Sequence, residues 1–192
     1  MTSSLMIILI GVSGAGKSTL RDYAIHRNTK IKKLIAVTDR PPRTTELNGI
    51  DKFFVSSSEF QVCESKGTLC LINRIYGHMY AFRKLDFESD DIYLGELHYK
   101  NLNEFLEFHP NTKTIYIKPQ KIDKILEGLH SRGSSKDEIC VRQTSMLSEV
   151  KELDNLDFQG LFDYTFINYF TEKSKQDFCN LVDMLTLKEA AK

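Results

Sequence analysis

Short apolar runs alternate with amphipathic segments along the chain. Leu5–Ile10 is a continuous apolar run, which is typical of a strand buried on both faces of a parallel sheet. Further strands are predicted at 34–37, 53–55, 69–75, 92–97, 114–118 and 164–168. Helical patterns lie between them at 18–27, 101–108, 122–129 and 171–187. This alternation predicts an α/β fold with a parallel sheet flanked by helices.

Two Ser-x-x-Glu sequences mark predicted helix starts. Ser56 with Glu59 forms one capping box, before a helix that ends near Gly67. Ser135 with Glu138 forms the other, before a helix that runs to about residue 153. Short strands and turns cluster between residues 40 and 85, so we expect a small β-rich insertion in the core.

Composition narrows the class of protein. The 192 residues fit one domain, and 26 Lys and Arg balance 26 Asp and Glu. This balance argues against a nucleic-acid partner or a polybasic membrane anchor. The longest apolar run is far shorter than the roughly 20 residues of a membrane span, and no leader pattern is present. We therefore expect a cytoplasmic protein. The four cysteines have no CxxC spacing and are expected to be reduced thiols: Cys63, Cys70, Cys140 and Cys179.

The strongest motif is GVSGAGKS at residues 11–18, which matches the P-loop pattern GxxxxGK[ST] at every fixed position. It follows a buried strand and opens a helix, where backbone N–H groups and the helix dipole attract phosphate. Lys17 is expected to bridge the β- and γ-phosphates of ATP, and the Ser18 hydroxyl to ligate Mg²⁺. The predicted ATP-binding residues of this loop are Gly11, Ser13, Gly14, Ala15, Gly16, Lys17, Ser18 and Thr19. The sequence has no NKxD motif, so a small-molecule kinase is favoured over a GTPase.

A proline-stiffened loop carries Arg40 and Arg43, and two converging guanidinium groups suit a phosphate. Together with the P-loop, the stretch TDRPPRTTELNGIDKFFVS at 38–56 resembles the guanylate kinases, which run TTRxPRxGExxGxDYxFVS. The similarity continues in GHMY at 77–80, SRGS at 131–134 and FIN at 166–168. The resemblance therefore spans nearly the whole chain.

This resemblance implies one guanylate-kinase-like domain over 1–192. Its core would comprise 1–37 and 86–192, its acceptor-binding subdomain about 38–85, and its helical lid about 127–150. Arg40, Arg43 and Tyr80 match the family's ligands for the acceptor phosphate. The other matched positions are Arg132, a lid arginine that reaches the transferring phosphoryl group, and Asn168, near the adenine. The expected catalytic residues are Lys17, Arg132 and Arg142. Arg142 is included because it lies one residue before the position of the family's second lid arginine.

The sequence departs from the family where the guanine base is read. Ala36 replaces a serine, and Leu71 replaces the glutamate that pairs with guanine. Asn73, on the same strand face as Leu71, is the nearest polar substitute. Lys52 replaces a tyrosine and retains the ability to hold phosphate, and Glu96 is the candidate for the family's acidic strand end.

The resulting prediction is an ATP-dependent kinase, with ATP and Mg²⁺ as cofactors, that acts on the phosphate of a small acceptor. GMP, giving GDP, is favoured. Two alternatives stay open. One is the same chemistry on another nucleoside monophosphate or a ribose bisphosphate. The other is a non-catalytic interaction module of this fold. A monomer or a homodimer is expected.

Overall fold

The computed structural model describes residues 4–44, 46–75, 77–122, 125 and 136–190. Its larger sheet has five parallel strands: β1 Leu5–Ile10, β2 Ile31–Lys33, β7 Ile92–Glu96, β8 Thr112–Pro119 and β9 Tyr164–Asn168. Their order across the sheet is β2-β7-β1-β8-β9. The helices around this sheet are α1 Lys17–Arg27, α3 Leu102–Phe108, α4 Lys136–Phe158 and α5 Glu172–Ala190, and short 3₁₀ turns occupy Lys84–Asp86 and Tyr99–Asn101. The predicted α/β fold is confirmed.

The central strand, β1, is buried over its whole length, as its apolar run predicts. It lies between β7 and β8, with Leu9 opposite Glu96 and Ile10 opposite Tyr116. On the outer side of β8, Pro119 lies opposite Asn168 of β9. The carboxyl ends of these parallel strands therefore meet at one edge of the sheet, where ligands bind in open α/β folds.

A second, four-stranded sheet is built from β3 Val37–Thr38, β4 Phe53–Phe54, β5 Leu69–Ile75 and β6 His78–Arg83, in the order β4-β3-β6-β5. Helix α2, Ser57–Ser65, covers it with the buried side chain of Phe60. The predicted capping box at the start of α2 is present: Ser56 Oγ accepts from the Glu59 N–H at 3.2 Å, and the Ser56 N–H donates to Glu59 Oε2 at 2.7 Å.

The prediction of a strand at 34–37 is wrong. Strand β2 ends at Lys33, and the chain then crosses to the second sheet, where β3 begins at Val37. Leu34 stays close to β7, because its N–H donates to the Leu94 carbonyl at 3.1 Å and its side chain packs on Gly95. A side chain at Gly95 would place its Cβ 2.8 Å from that of Leu34. Burial of the crossing segment, and not strand pairing, explains its apolar residues.

Strand β6 was not predicted, and most of the helix predicted at 122–129 lies outside the described residues, as does Ser135. Cys63, Cys70 and Cys179 are free thiols, and the Cys140 side chain lies outside the described part. Burial raises the pKa of Cys70 to about 12, which makes it a poor nucleophile. Within the described residues, no helix is both long and apolar enough to cross a membrane.

Candidate active site

The P-loop connects the end of β1 to α1 and holds its glycines in conformations that side chains disfavour. Gly11 has φ 151°, and a Cβ there would lie 2.6 Å from the Ile117 carbonyl oxygen. Gly16 has φ 89° and directly precedes Lys17, the first residue of α1. The loop therefore wraps closely onto the sheet and places the positive end of α1 at its centre.

The side chain of Lys17 is held over this loop by backbone carbonyls of the loop itself. Its Nζ donates to the Gly11 carbonyl at 2.6 Å and to the Val12 carbonyl at 2.9 Å. Burial lowers the pKa of Lys17, against the opposing charges of Glu96 and Glu149. An anion at the loop would replace these carbonyls as the partner of the ammonium group.

A cavity of about 270 Å³ joins the P-loop to the second sheet. Gly11, Ser13 and Lys17 line it on the P-loop side. All of the predicted acceptor-binding residues line it as well: Arg40, Arg43, Lys52, Leu71, Asn73, Tyr80 and Glu96. The structure thus brings both groups of predicted residues to one cleft. Gly14, Ala15, Gly16, Ser18 and Thr19 lie on the same loop and helix start but outside the cavity lining.

Glu46 organises the two loop arginines. Its carboxylate oxygens accept from Arg40 Nη2 at 2.9 and 2.8 Å, and Oε2 also accepts from the Arg43 N–H at 2.8 Å. Arg40 Nε donates to Tyr80 Oη at 3.2 Å. Burial opposes ionisation of Glu46, but the Arg43 N–H and the Arg40 guanidinium hold its pKa below the usual value. Sequence reasoning missed this residue, since a lone acid in a polar loop usually faces solvent.

Lys52 brings an unmatched positive charge into the cavity. Its Nζ lies 5.9 Å from the centroid of the Tyr80 ring, and no carboxylate in the described part of the chain forms an ion pair with it. Burial lowers the pKa of Lys52, and the nearby charge of Glu96 only partly offsets the loss of hydration. A phosphate beside Arg40 and Tyr80 would supply the missing counter-charge.

Glu96 ends β7 at the floor of the cavity. Its Oε1 accepts from Arg21 Nη1 at 2.5 Å, and the buried Arg21 also pairs with Asp22 at 2.8 Å. Among the described residues, no cluster of three His, Cys, Asp or Glu side chains is arranged to hold a metal. At nucleotide sites, Mg²⁺ binds through few protein oxygens and mostly through phosphates and water. The hydroxyl of Ser18, exposed on the first turn of α1, is the candidate for such an oxygen.

Part of the cavity lining is apolar and is formed by Ala36, Leu71, Ile75, Phe82 and Leu97. Further polar groups of the lining are those of Asn73, His98, Asn101 and Glu149.

The sequence did not single out His98, Asn101 or Glu149. The first two follow the carboxyl end of β7, a position that could have signalled them. Glu149 comes from the distant helix α4 and left no signal. Burial raises the pKa of Glu149, and its Oε1 lies 4.0 Å from His98 Nε2.

Asn168 links the end of β9 to the P-loop. Its Nδ2 donates to the Ala15 carbonyl at 2.9 Å, and its Oδ1 accepts from the Phe170 N–H at 2.9 Å. The residue is buried behind the loop and does not line the cavity. The predicted catalytic residue Arg132 lies outside the described residues. Arg142 lies in α4, but its side chain lies outside the described part.

Comparison with known proteins decides the family. The family model described as Guanylate kinase matches residues 3–180. The chain belongs to the guanylate kinase family. The guanylate kinase of Nitrosomonas europaea is 24% identical over 190 residues, covering 96% of this chain and 92% of that protein. The guanylate kinase of Helicobacter pylori strain 26695 is 29% identical over 175 residues, covering 89% of this chain and 82% of its own length.

Solved structures agree on the fold. The crystal structure of guanylate kinase from Anaplasma phagocytophilum superposes with a TM-score of 0.68 at 19% identity, covering 98% of this chain and 87% of that one. The family predicted from the sequence is confirmed. As a member of the guanylate kinase family, the chain is a phosphotransferase with a nucleotide-binding P-loop.

Proposed function

We propose that this protein transfers the γ-phosphoryl group of ATP to the phosphate of GMP, producing ADP and GDP. One observation carries the proposal. A single cavity is lined on one side by Lys17 of the P-loop and on the other by Arg40, Lys52 and Tyr80. Two phosphate-binding groups that share one cleft suit a donor and an acceptor whose phosphates must meet.

The reaction depends on the positioning of the two substrates more than on covalent catalysis. An oxygen of the acceptor phosphate attacks the γ-phosphorus, and the bond from that phosphorus to the β-phosphate oxygen breaks, so that ADP leaves. The attacking oxygen is already an anion, and no proton has to be removed. The protein therefore has to align two anions and neutralise their repulsion.

The cationic residues divide this work. Lys17 exchanges its contacts with the Gly11 and Val12 carbonyls for the phosphates of ATP. Arg40, fixed by Glu46, and Lys52 neutralise the acceptor phosphate. Ser18 would hold Mg²⁺ together with phosphate oxygens, and the bound ion supplies further charge neutralisation at the β- and γ-phosphates.

GMP is favoured because the acceptor loop keeps its arginines and Tyr80. The apolar wall at Ala36 and Leu71 weakens the reading of guanine, and so a different monophosphate or a ribose bisphosphate is the competing acceptor. A non-catalytic module is disfavoured, since Lys17 and the glycines of the P-loop are retained.

An acceptor panel tests the proposal. ADP formation is measured at saturating ATP and Mg²⁺ with GMP, AMP, CMP, UMP, ribose 5-phosphate and ribose 1,5-bisphosphate, and ³¹P NMR identifies the product. We expect GDP to form fastest, with a preference over the other nucleotides below about 10⁴-fold, because larger ratios need well-paired base readers. If a ribose phosphate is turned over faster than GMP, the ribose phosphate is the acceptor and the GMP assignment is wrong. If no compound is turned over, the non-catalytic interaction module becomes the favoured function.

A further inference from the structure

Strand β5 contains a bulge that decides which of its side chains face the cavity. Cys70 lies opposite Phe82 and Asn73 opposite Tyr80, so two β5 residues oppose the single residue Ala81. One of the two, Leu71, has φ 52°, a left-handed conformation that is uncommon outside glycine. Without the extra residue, position 72 would lie opposite Tyr80, and the side chain of Asn73 would turn to the other face.

The bulge therefore puts Asn73 beside Tyr80, which the proposed function assigns to the acceptor phosphate. Residues directly opposite each other in an antiparallel pair share a face and lie close together. Asn73 and Tyr80 both line the cavity, as does Leu71. A group on Asn73 can thus meet the part of an acceptor next to its phosphate.

The orientation of the Asn73 amide follows from its partners. Its Nδ2 donates to Glu104 Oε2 on α3 at 3.1 Å and, over a longer distance of 3.4 Å, to the Leu71 carbonyl. A carboxylate and a carbonyl can only accept, so the NH₂ group must face them. Within the described residues, Oδ1 of Asn73 accepts no hydrogen bond. It is the atom of this side chain left for a ligand.

We propose that Glu104 is a positioning residue that locks the Asn73 amide, so that Oδ1 accepts from a ring N–H of the acceptor's base. This inference rests on the proposed function. The bases that fit are lactams, which carry a ring N–H beside a carbonyl, as guanine, hypoxanthine and uracil do. Adenine and cytosine present a bare ring nitrogen there, whose lone pair repels Oδ1.

The same geometry makes the 2-amino group of guanine dispensable. One neutral oxygen accepts well from one donor, and the neighbouring Leu71 and Ala36 offer no side-chain acceptor for a second. The proposal therefore places IMP and GMP within about tenfold of each other in kcat/KM, since one unpaired polar contact at a partly open site costs no more than that.

The test compares kcat/KM for GMP, IMP and AMP in variants of this pair. Glu104→Ala leaves only the longer contact with the Leu71 carbonyl to orient the amide. We expect the GMP-to-AMP ratio to fall about five- to tenfold, mostly through loss of GMP use. Glu104→Gln keeps an acceptor for Nδ2 and should preserve the ratio. Glu107→Ala, which removes an exposed carboxylate three residues further along α3, is the matched control and should behave as the unaltered protein.

A double-variant cycle distinguishes an effect of Glu104 through Asn73 from a general structural role. Asn73→Leu should lower the ratio by itself, and adding Glu104→Ala should then change nothing. An unchanged ratio in Glu104→Ala, an equal loss for GMP and AMP, or an effect that persists in the Asn73→Leu background would each overturn the inference. If GMP is still turned over, any of these results overturns the inference but not the proposed function. No turnover of any nucleoside monophosphate overturns the proposed function and the inference together.

Discussion

Glu46 accepts hydrogen bonds from Arg40 Nη2 through both carboxylate oxygens, at 2.9 and 2.8 Å, and so fixes the guanidinium beside Tyr80. Neither side chain is fully exposed, and the loop between them is short. Under the proposed function, Arg40, Arg43 and Tyr80 form an acceptor clamp. Because Arg40 is already held in place, less of this clamp has to be ordered when the acceptor binds.

Glu46→Ala should raise the KM for GMP about tenfold, the scale of a lost charge-assisted hydrogen bond in a partly exposed site. The KM for ATP should stay within twofold, since Glu46 forms its hydrogen bonds and ion pairs in the described part of the chain with Arg40 and Arg43 and none with the P-loop. Initial-rate kinetics in both substrates checks this. Glu64→Ala, an exposed acid on α2, is the control. An equal rise in both KM values would mean that Glu46 supports the whole fold and not the clamp.

The P-loop and its strand were predictable because phosphate chemistry demands fixed residue types at fixed spacing. The burial of β1 follows from the same logic, since only a strand covered on both faces is apolar throughout. The resemblance to the guanylate kinases then singled out Arg40 and Arg43, which spacing alone would have left in a basic loop.

Other features could not be read from the sequence. The bulge at Leu71 has no sequence signal, because a left-handed position usually carries glycine or asparagine. The chain crossing at Leu34 looked like a strand since burial, and not pairing, selects its apolar residues. Glu104 contacts Asn73, and Glu149 lines the cavity, from helices distant in sequence, and only the tertiary structure brings them there.

Lys52→Met should stabilise the ligand-free protein at pH 7. Burial lowers the pKa of Lys52, so the unfolded state holds this proton more tightly than the folded state. The penalty is present below the lowered pKa and disappears as the pH rises toward the unfolded value of about 10.4. Thermal unfolding at pH 7 and pH 9.5 should therefore show a higher Tm for the variant at pH 7 and a smaller gain at pH 9.5.

The matched control is Lys66→Met, which changes an exposed lysine at the end of α2 and should leave Tm nearly unchanged. The KM for GMP should rise in Lys52→Met alone. A variant less stable than the unaltered protein at pH 7 would show that the nearby charge of Glu96 outweighs the burial of Lys52 in the ligand-free state.

Asn168→Ala should destabilise the protein by about 2 kcal/mol, because the buried Ala15 carbonyl and the Phe170 N–H both lose their partner. The KM for ATP should rise as the P-loop loosens. Urea unfolding and ATP kinetics measure the two effects. Asn155→Ala, at an exposed position of α4, should cost less than about 0.5 kcal/mol. A stable variant with a normal KM would remove Asn168 from the support of the P-loop.

Glu96→Ala should lower the free energy of unfolding by about 1–3 kcal/mol, because the buried Arg21 loses one of its two carboxylate partners. Glu96→Gln retains an oxygen that accepts from Arg21 and should recover most of this loss. Chemical denaturation of the three proteins provides the comparison. If the glutamine and alanine variants are equally unstable, the charge of Glu96 matters more than its hydrogen bond.

The central claim is that the P-loop drives phosphoryl transfer to a phosphate held in the shared cavity. Its most direct test is GMP-dependent ADP release by the purified protein and by Lys17→Ala, with circular dichroism to show that both are folded. We expect a kcat on the order of 1–100 s⁻¹ for the unaltered protein, the range usual for kinases, and a loss of at least about 100-fold in Lys17→Ala. A folded Lys17→Ala protein that releases ADP at the unaltered rate would contradict the account.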